Sequence, residues 1–317
     1  MGCGNSRIEE KEKASKNENI SASKSTTKIN EQAQNQKNKE DNKNGNTRNQ
    51  GDFVNDGPEE NMRINLKNGF YYIGQTKNGK KHGKGKIYFQ SNNIYYEGDF
   101  ADDLPEGKGK VYDEDGKVLY EGDFAKGHKE GKGKLYNEDE IVLYEGDFAN
   151  ELPEGTGKLY CGNGSYYIGQ FKKGLKDGKG TLFDLRGNIL YEGDYSGDVR
   201  EGNGKIYDNN GTYYIGQFKD DKKNGKGIRY EMDGKIIYEG EFVNDEYEGK
   251  GKKFNSDGSY YIGQFKGGLK MGEGDEYDKD GNHIFIKKYY MNDEGYIVEE
   301  TKEVLYKDVE EVGVCSE

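Results

Sequence analysis

The stretch Tyr167-Ile168-Gly169-Gln170-Phe171, a short polar link from Lys172 to Asp177, and Gly178-Lys179-Gly180-Thr181-Leu182-Phe183 decides the fold. Tyr167, Gly169 and Phe171 occupy alternate positions, and so do Gly178, Gly180 and Leu182. A period of two is the pattern of a strand. Each half therefore reads as a short strand, and the pair as a β-hairpin. On one face the aromatic rings of the first strand can lie over the glycines of the second. Glycine leaves room for a ring, and the ring covers backbone that glycine leaves bare.

The leading tyrosine recurs at Tyr72, Tyr96, Tyr120, Tyr144, Tyr167, Tyr191, Tyr214, Tyr238 and Tyr261, in steps of 23 or 24 residues. A fixed period in this range is a repeat array in which each unit contacts mainly its neighbours. Gly74, Gly83 and Gly85 follow Tyr72 just as Gly169, Gly178 and Gly180 follow Tyr167. Composition agrees: 317 residues are only 31% apolar but hold 27 Tyr and 49 Gly. Such a chain cannot build a deep core. It can build a thin sheet covered by tyrosine rings whose hydroxyls stay in water.

The leading segments are of two kinds. Tyr-Ile-Gly-Gln begins at Tyr72, Tyr167, Tyr214 and Tyr261; Tyr-Glu-Gly-Asp/Glu begins at Tyr96, Tyr120, Tyr144, Tyr191 and Tyr238. The links alternate in charge as well. Lys172, Lys173 and Lys176 follow one kind; Asp102, Asp103 and Glu106 follow the other. Opposite signs on neighbouring links, about 10 Å apart across two strands, would help set register. Asp-Gly and Asn-Gly pairs between repeats, as at Asp115-Gly116 and Asn163-Gly164, mark tight hairpin turns.

The ends depart from the pattern. Asn49 to Tyr72 aligns with Tyr144 to Tyr167 as a worn copy, with Glu60 and Met62 where the second glycine pair should be. Worn end copies are expected, because one side must face water. The array therefore runs over 49–290. Beyond it, in 291–317, Val298, Leu305, Val309 and Val312 stand at helical spacing and predict a short amphipathic helix or cap. Residues 1–48, rich in Asn, Lys, Gln, Glu and Ser, bury too little surface to order and read as a disordered tether.

The chain opens Met-Gly-Cys-Gly-Asn-Ser, the N-myristoylation pattern with Gly2 as acceptor, and Cys3 is placed for palmitoylation. One myristoyl chain binds a membrane reversibly, and a second makes anchoring stable. No apolar run approaches the ~18 residues of a membrane helix, and no secretory h-region follows the N-terminus. The three cysteines, at 3, 161 and 315, are too scattered for a metal site or disulfide framework, which fits a reducing cytosolic setting. Net charge is −12: +3 over residues 1–50 and −15 beyond. An acidic body argues against nucleic acid as partner. Gly83-Lys84-Gly85 lacks the further glycine of a nucleotide loop, since position 88 is Tyr88, and Asp278 to Gly281 lacks the calcium loop's glutamate, replaced by Lys287. His82, His128 and His283 lie far apart, and no break in periodicity marks a catalytic site. No metal, cofactor or enzymatic activity is expected.

Tyr-x-Gly-x-Phe, a link, then Gly-x-Gly-x-aliphatic-aromatic resembles the MORN repeat, the membrane occupation and recognition nexus motif. The resemblance implies an all-β fold, an elongated single-layer antiparallel meander of stacked β-hairpins. The family often carries tryptophan where this chain has Phe100, Phe124, Phe148, Phe171 and Phe265, and this chain has no Trp. That departure bears on partner contacts, not on the fold. Family members act mainly as scaffolds at membranes, cytoskeleton and cilia.

The function expected is a non-catalytic scaffold, tethered by acyl chains to the cytoplasmic face of a membrane, the plasma membrane first, and presenting its sheet to protein partners. A second reading is a phosphoinositide or acidic-phospholipid binding module, with Lys77, Lys80, Lys81, Lys172, Lys173 and Lys176 meeting the headgroups. A third is a structural component of a cilium or axoneme.

Overall fold

The computed structural model describes residues 59–292 and 297–303. The fold is all-β, with no helix beyond a 3₁₀ turn at Lys67–Gly69 among the described residues. Gly2, Cys3, the tether and the first half of the worn copy lie outside them.

The chain divides into two units. The first carries β1 (Glu59–Asn65), β2 (Tyr71–Lys77), β3 (Lys80–Tyr88), β4 (Ile94–Ala101), β5 (Leu104–Tyr112), β6 (Val118–Ala125), β7 (His128–Tyr136), β8 (Val142–Ala149), β9 (Leu152–Tyr160), β10 (Tyr166–Lys172) and β11 (Leu175–Phe183). Most of β12 (Ile189–Ser196) falls in the second, with β13 (Val199–Tyr207), β14 (Tyr213–Lys219), β15 (Lys222–Tyr230), β16 (Ile236–Val243), β17 (Glu246–Phe254), β18 (Tyr260–Lys266), β19 (Leu269–Tyr277), β20 (His283–Met291) and β21 (Ile297–Glu303). From β1 to β11, and again from β13 to β21, each strand pairs antiparallel with the next, so each unit is an open meander.

The hairpin of β10 and β11 shows the repeat. Tyr167 faces Leu182 and Gly169 faces Gly180; the register then slips by a bulge, and Phe171 faces Lys176. Lys173 and Gly174 close the hairpin, both at positive φ (51° and 82°). Two left-handed residues in succession make a type I′ turn, whose twist matches the strands it joins. The polar link is thus a two-residue turn, and the strands grow into the rest. The Asx-Gly turns between repeats are of the other sort. At Cys161–Ser165, Cys161 N donates to Ser165 O (2.8 Å), Gly164 N donates to Cys161 O (2.9 Å), and only Gly164 is left-handed. That is a three-residue loop with a glycine bulge.

The two kinds of leading segment turn out to do one job. Gln170 Oε1 accepts the Lys179 backbone N–H at 2.7 Å, just past the bulge glycine Gly178. In the other kind Asp123 Oδ2 accepts Lys132 N at 3.0 Å, and Asp147 Oδ2 accepts Thr156 N at 3.0 Å. An amide oxygen and a carboxylate oxygen satisfy the same donor. Link carboxylates join neighbouring repeats both through opposite charges, as in Arg200–Asp221 at 3.0 Å and Lys80–Asp102 at 3.5 Å, and through backbone N–H groups. Glu151 Oε1 accepts Lys129 N, Asp198 Oδ1 accepts Lys176 N and Asp245 Oδ1 accepts Lys223 N, all at 2.9 Å.

One face of the sheet is closed. Tyr96, Tyr120 and Tyr144 in the first unit and Tyr238 and Tyr261 in the second are 0% exposed. Each ring lies over a facing glycine pair, as Tyr72 does over Gly74 and Gly85. Phenylalanines clamp it edge-on from both sides: Tyr120 meets Phe124 of its own repeat and Phe148 of the next, each at 5.2 Å between centroids. Such pairs contribute about 0.5–1.5 kcal/mol beyond area burial.

The expectation of wet hydroxyls is corrected here. Tyr144 Oη donates to Asp147 O at 2.9 Å, Tyr214 Oη to Gln217 O at 2.9 Å, and Tyr238 Oη to Glu241 O at 3.0 Å. The bulge turns a strand carbonyl toward the ring, so the buried hydroxyl finds backbone instead of water. Burial is the main cause that pushes the Tyr72 and Tyr261 hydroxyls up to about 12.

The C-terminal helix is also corrected over 297–303, which form β21 on β20. Ile297, Val298 and Thr301 are β-branched and favour a strand. Strand formation satisfies the otherwise open edge of β20, and Lys287 Nζ binds Glu299 Oε1 across it at 2.6 Å. Residues 304–317 lie outside the described region. At the other end, β1 is the second strand of the worn copy, with Met62 facing Gly74 where a glycine would stand.

Candidate interaction surface

The opposite face of the sheet is open, and alternation decides what stands on it. In β5, Lys108, Lys110 and Tyr112 share that face, two residues apart. Glu97 of β4 and Glu121 of β6 both face Lys110. The same triad recurs one repeat on. The result is a column of alternating charge across β3 to β8: Lys86–Glu97 at 3.0 Å, Lys110–Glu121 at 3.2 Å and Lys134–Glu145 at 3.2 Å. A second column runs beside it: Lys84–Asp99 at 2.6 Å, Lys108–Asp123 at 2.6 Å and Lys132–Asp147 at 2.5 Å.

These pairs shift the groups they join. Hydrogen bonds to Glu97 and Glu121 push the Lys86 and Lys110 ammonium groups up. The Lys132 hydrogen bond, ahead of those from Thr156, holds the Asp147 carboxyl below the usual carboxylate range. Tyrosines form the third column. Tyr160 Oη donates to Glu145 Oε1 at 3.0 Å, and Tyr112, half-buried, has its hydroxyl pushed up by burial first and by Glu97 second. Glu97, Lys110, Tyr112, Glu121, Lys134 and Tyr136 are among the residues lining a shallow open groove of about 970 Å³ within the first unit.

Sequence reading passed over this surface. Its signal is Gly-Lys-Gly-Lys at 83–86, 107–110 and 131–134, three consecutive repeats. The triplication marks a charged row, where a single copy resembles only a glycine loop.

The lysines singled out as lipid contacts separate into two groups. Lys77, Lys80, Lys172 and Lys173 are exposed. Lys81 and Lys176 are buried, 4% and 7% exposed, on the closed face beside the aromatic stack. Each follows a type I′ turn; Lys176 faces Phe171, its Nζ 5.8 Å from the centroid of the Tyr167 ring, and Lys81 faces Thr76, which stands where the other hairpin has phenylalanine. A headgroup outside the sheet does not reach those two ammonium groups. Lys129 occupies the same place, 2% exposed, with Nζ 3.8 Å from Glu151 Oε2 and 5.1 Å from the centroid of the Tyr120 ring. Burial, opposed by Glu151, pushes its ammonium down to about 8.

The repeat glycines and rings named from sequence do come together. Tyr72 with Gly74 and Gly85, and Tyr167 with Gly169 and Gly180, form the closed face, and Phe171 clamps Tyr167 at 5.3 Å. Gly83 and Gly178 are instead the left-handed bulge residues, at φ 67° and 102°. Among the described residues no group of three or more His, Cys, Asp and Glu is placed to hold a metal ion, and no helix is long and apolar enough to cross a membrane.

An open antiparallel repeat sheet, closed on one face by rings and displaying charge on the other, defines a repeat scaffold or binding module. The MORN repeat family model matches residues 72–94, 96–118, 120–139, 144–166, 167–184, 191–213, 214–234, 238–260 and 261–283, more than half of the chain, and the protein belongs to that family. No curated protein matches the chain. Among solved structures, the crystal structure of BamB from Moraxella catarrhalis is similar at 10% identity over 78% of this chain and 92% of that one, with a TM-score of 0.18 that carries no argument.

Proposed function

We propose that the protein is a non-catalytic scaffold, held by acyl chains on Gly2 and Cys3 to the cytoplasmic face of a membrane, the plasma membrane first, and offering its open sheet face to protein partners. The observation that carries the scaffold part is the ion-paired, tyrosine-lined groove of about 970 Å³, built from successive repeats without a break in their period. The tether is supported by the Met-Gly-Cys-Gly-Asn-Ser pattern, which pairs a myristoyl acceptor with an adjacent thiol.

Metabolic labelling with alkyne fatty acids and membrane fractionation test the tether. Gly2→Ala is expected to lose both labels and move into the soluble fraction, and Cys3→Ser to keep myristate but wash off the membrane. A Gly2→Ala protein that stays fully membrane-bound would overturn the tether.

The second reading, an acidic-phospholipid module, is favoured by the exposed Lys77, Lys80, Lys172 and Lys173. Flotation of the unacylated full chain with vesicles containing phosphoinositide is its test. No binding leaves the scaffold reading alone. An axonemal role rests on family resemblance and would show as ciliary enrichment independent of Gly2.

A further inference from the structure

The groove on the first unit has a period, and the period selects what can lie in it. Equivalent residues on successive repeats are two strands apart, about 9.6 Å. The half-buried rings of Tyr88, Tyr112, Tyr136 and Tyr160 therefore stand at that spacing, with the column of lysine–carboxylate pairs running beside them, two residues along each strand. A polyproline II helix has three residues per turn and rises about 9.3 Å per turn. Laid across the strands, it presents the same side chain face to every repeat, and falls out of step by only about 1 Å over three repeats. An α-helix advances about 10.8 Å in two turns and runs ahead by more than about 3 Å over the same three repeats. An extended strand alternates its faces and cannot keep every third residue on one side.

The chemistry agrees with the geometry. Flat aromatic surfaces between polar groups are what proline rings dock against. A proline-rich chain has carbonyl acceptors but few N–H donors, so its groove must supply donors. Lys84, Lys108 and Lys132 side chains are 75%, 72% and 68% exposed, and an ammonium has three N–H groups, of which the paired aspartate engages part. Signs alternate along the groove, so no net field favours a strongly charged occupant over a neutral one.

We propose that the open face of β4 to β9 binds a proline-rich segment of a protein partner in the polyproline II conformation, lying across the strands with one turn per repeat. This rests on the reading of the protein as a scaffold for protein partners and names the chemistry of one of them.

Fluorescein-labelled oligoprolines of about three, six and twelve residues, one, two and four turns, titrated with the full chain test it. Affinity is expected to rise with each added turn. A glycine-serine peptide and an alanine-rich helical peptide of the longest length are expected to bind at least about tenfold more weakly. Tyr112→Leu with Tyr136→Leu, which keeps apolar bulk but removes the flat rings, should weaken the longest oligoproline about tenfold. Tyr112→Phe with Tyr136→Phe should keep binding, and so should Tyr213→Leu in the second unit; thermal unfolding checks that each variant is folded. Equal binding of the helical or glycine-serine peptide, or a double leucine variant that is folded and binds unchanged, would overturn the proposal. The scaffold reading fails on a different result: proximity labelling of neighbours at the membrane that no open-face substitution alters.

Discussion

Residues 94–160 and residues 213–277 close one face in the same way and leave the other face different. In both, a fully buried tyrosine lies over a glycine pair and donates its hydroxyl to a carbonyl three residues on. On the open face they part. The first stretch carries lysine and glutamate in register, with Tyr112 and Tyr136 flanking the charges. The second carries Ile215 and Ile262 in the equivalent column, 43% and 41% exposed. Its tyrosines stack in pairs, Tyr213 on Tyr230 at 4.7 Å and Tyr260 on Tyr277 at 4.8 Å, under the ammonium groups of Lys205 and Lys252. The closed face admits almost one solution, because a ring must fit against bare backbone. The open face has no such constraint, so repeats can differ there without harm to the fold, and recognition is free to reside there.

The sharpest way to break this comparison is to add one methyl group under the ring. A Cβ on Gly109 would come within 2.7 Å of Tyr96 ring carbons, and one on Gly227 within 2.5 Å of Tyr214 Cζ. Gly109→Ala and Gly227→Ala are each expected to destabilise by about 3 kcal/mol, read by urea unfolding. Tolerance of either, within about 0.5 kcal/mol, would mean the closed face is not equivalent in the two stretches.

The buried cations give a smaller and pH-dependent difference. The Lys129 ammonium is pushed from its ordinary 10.5 down to about 8 in the fold. Between those values the unfolded chain holds a proton that the folded chain has released, so stability rises with pH. Above pH 10 the buried tyrosines stay protonated in the fold while the unfolded chain ionises, so stability then falls as pH climbs through their raised values. Lys129→Met is expected to remove a rise of no more than about 3 kcal/mol between pH 8 and 10. Lys223, also lowered by burial in the second stretch, should account for a lesser share. A pH profile unchanged by Lys129→Met refutes the assignment.

The smallest effect belongs to the open face. Lys110→Gln with Lys134→Gln should leave the urea unfolding midpoint nearly unchanged, and any change should vanish in high salt, because both pairs are well exposed. A clear fall in the midpoint that survives high salt would show that the charged columns hold the sheet together.

Much of this was legible in the residues. Tyrosines at steps of 23 or 24, with glycines at alternate positions, define the hairpins and the stacking of Tyr167 on Gly169 and Gly180. Other features were hidden because they depend on register. Gln170 and Asp147 look like different chemistry until both are seen to accept the N–H beyond a bulge glycine. Lys81 and Lys176 look like surface charge until the two-residue turn carries them onto the closed face. Val298 sits at helical spacing with residues beyond the described region, yet the unpaired edge of β20 draws 297–303 into a strand.

Period and composition alone determined the repeat, the all-β fold and the tyrosine-over-glycine packing, because all of these are local and recur. Only tertiary structure decided which carboxylate meets which lysine, which hydroxyl meets backbone and which lysine is buried. Each of those depends on a one-residue slip at the bulge, and in a strand a slip of one residue exchanges the two faces.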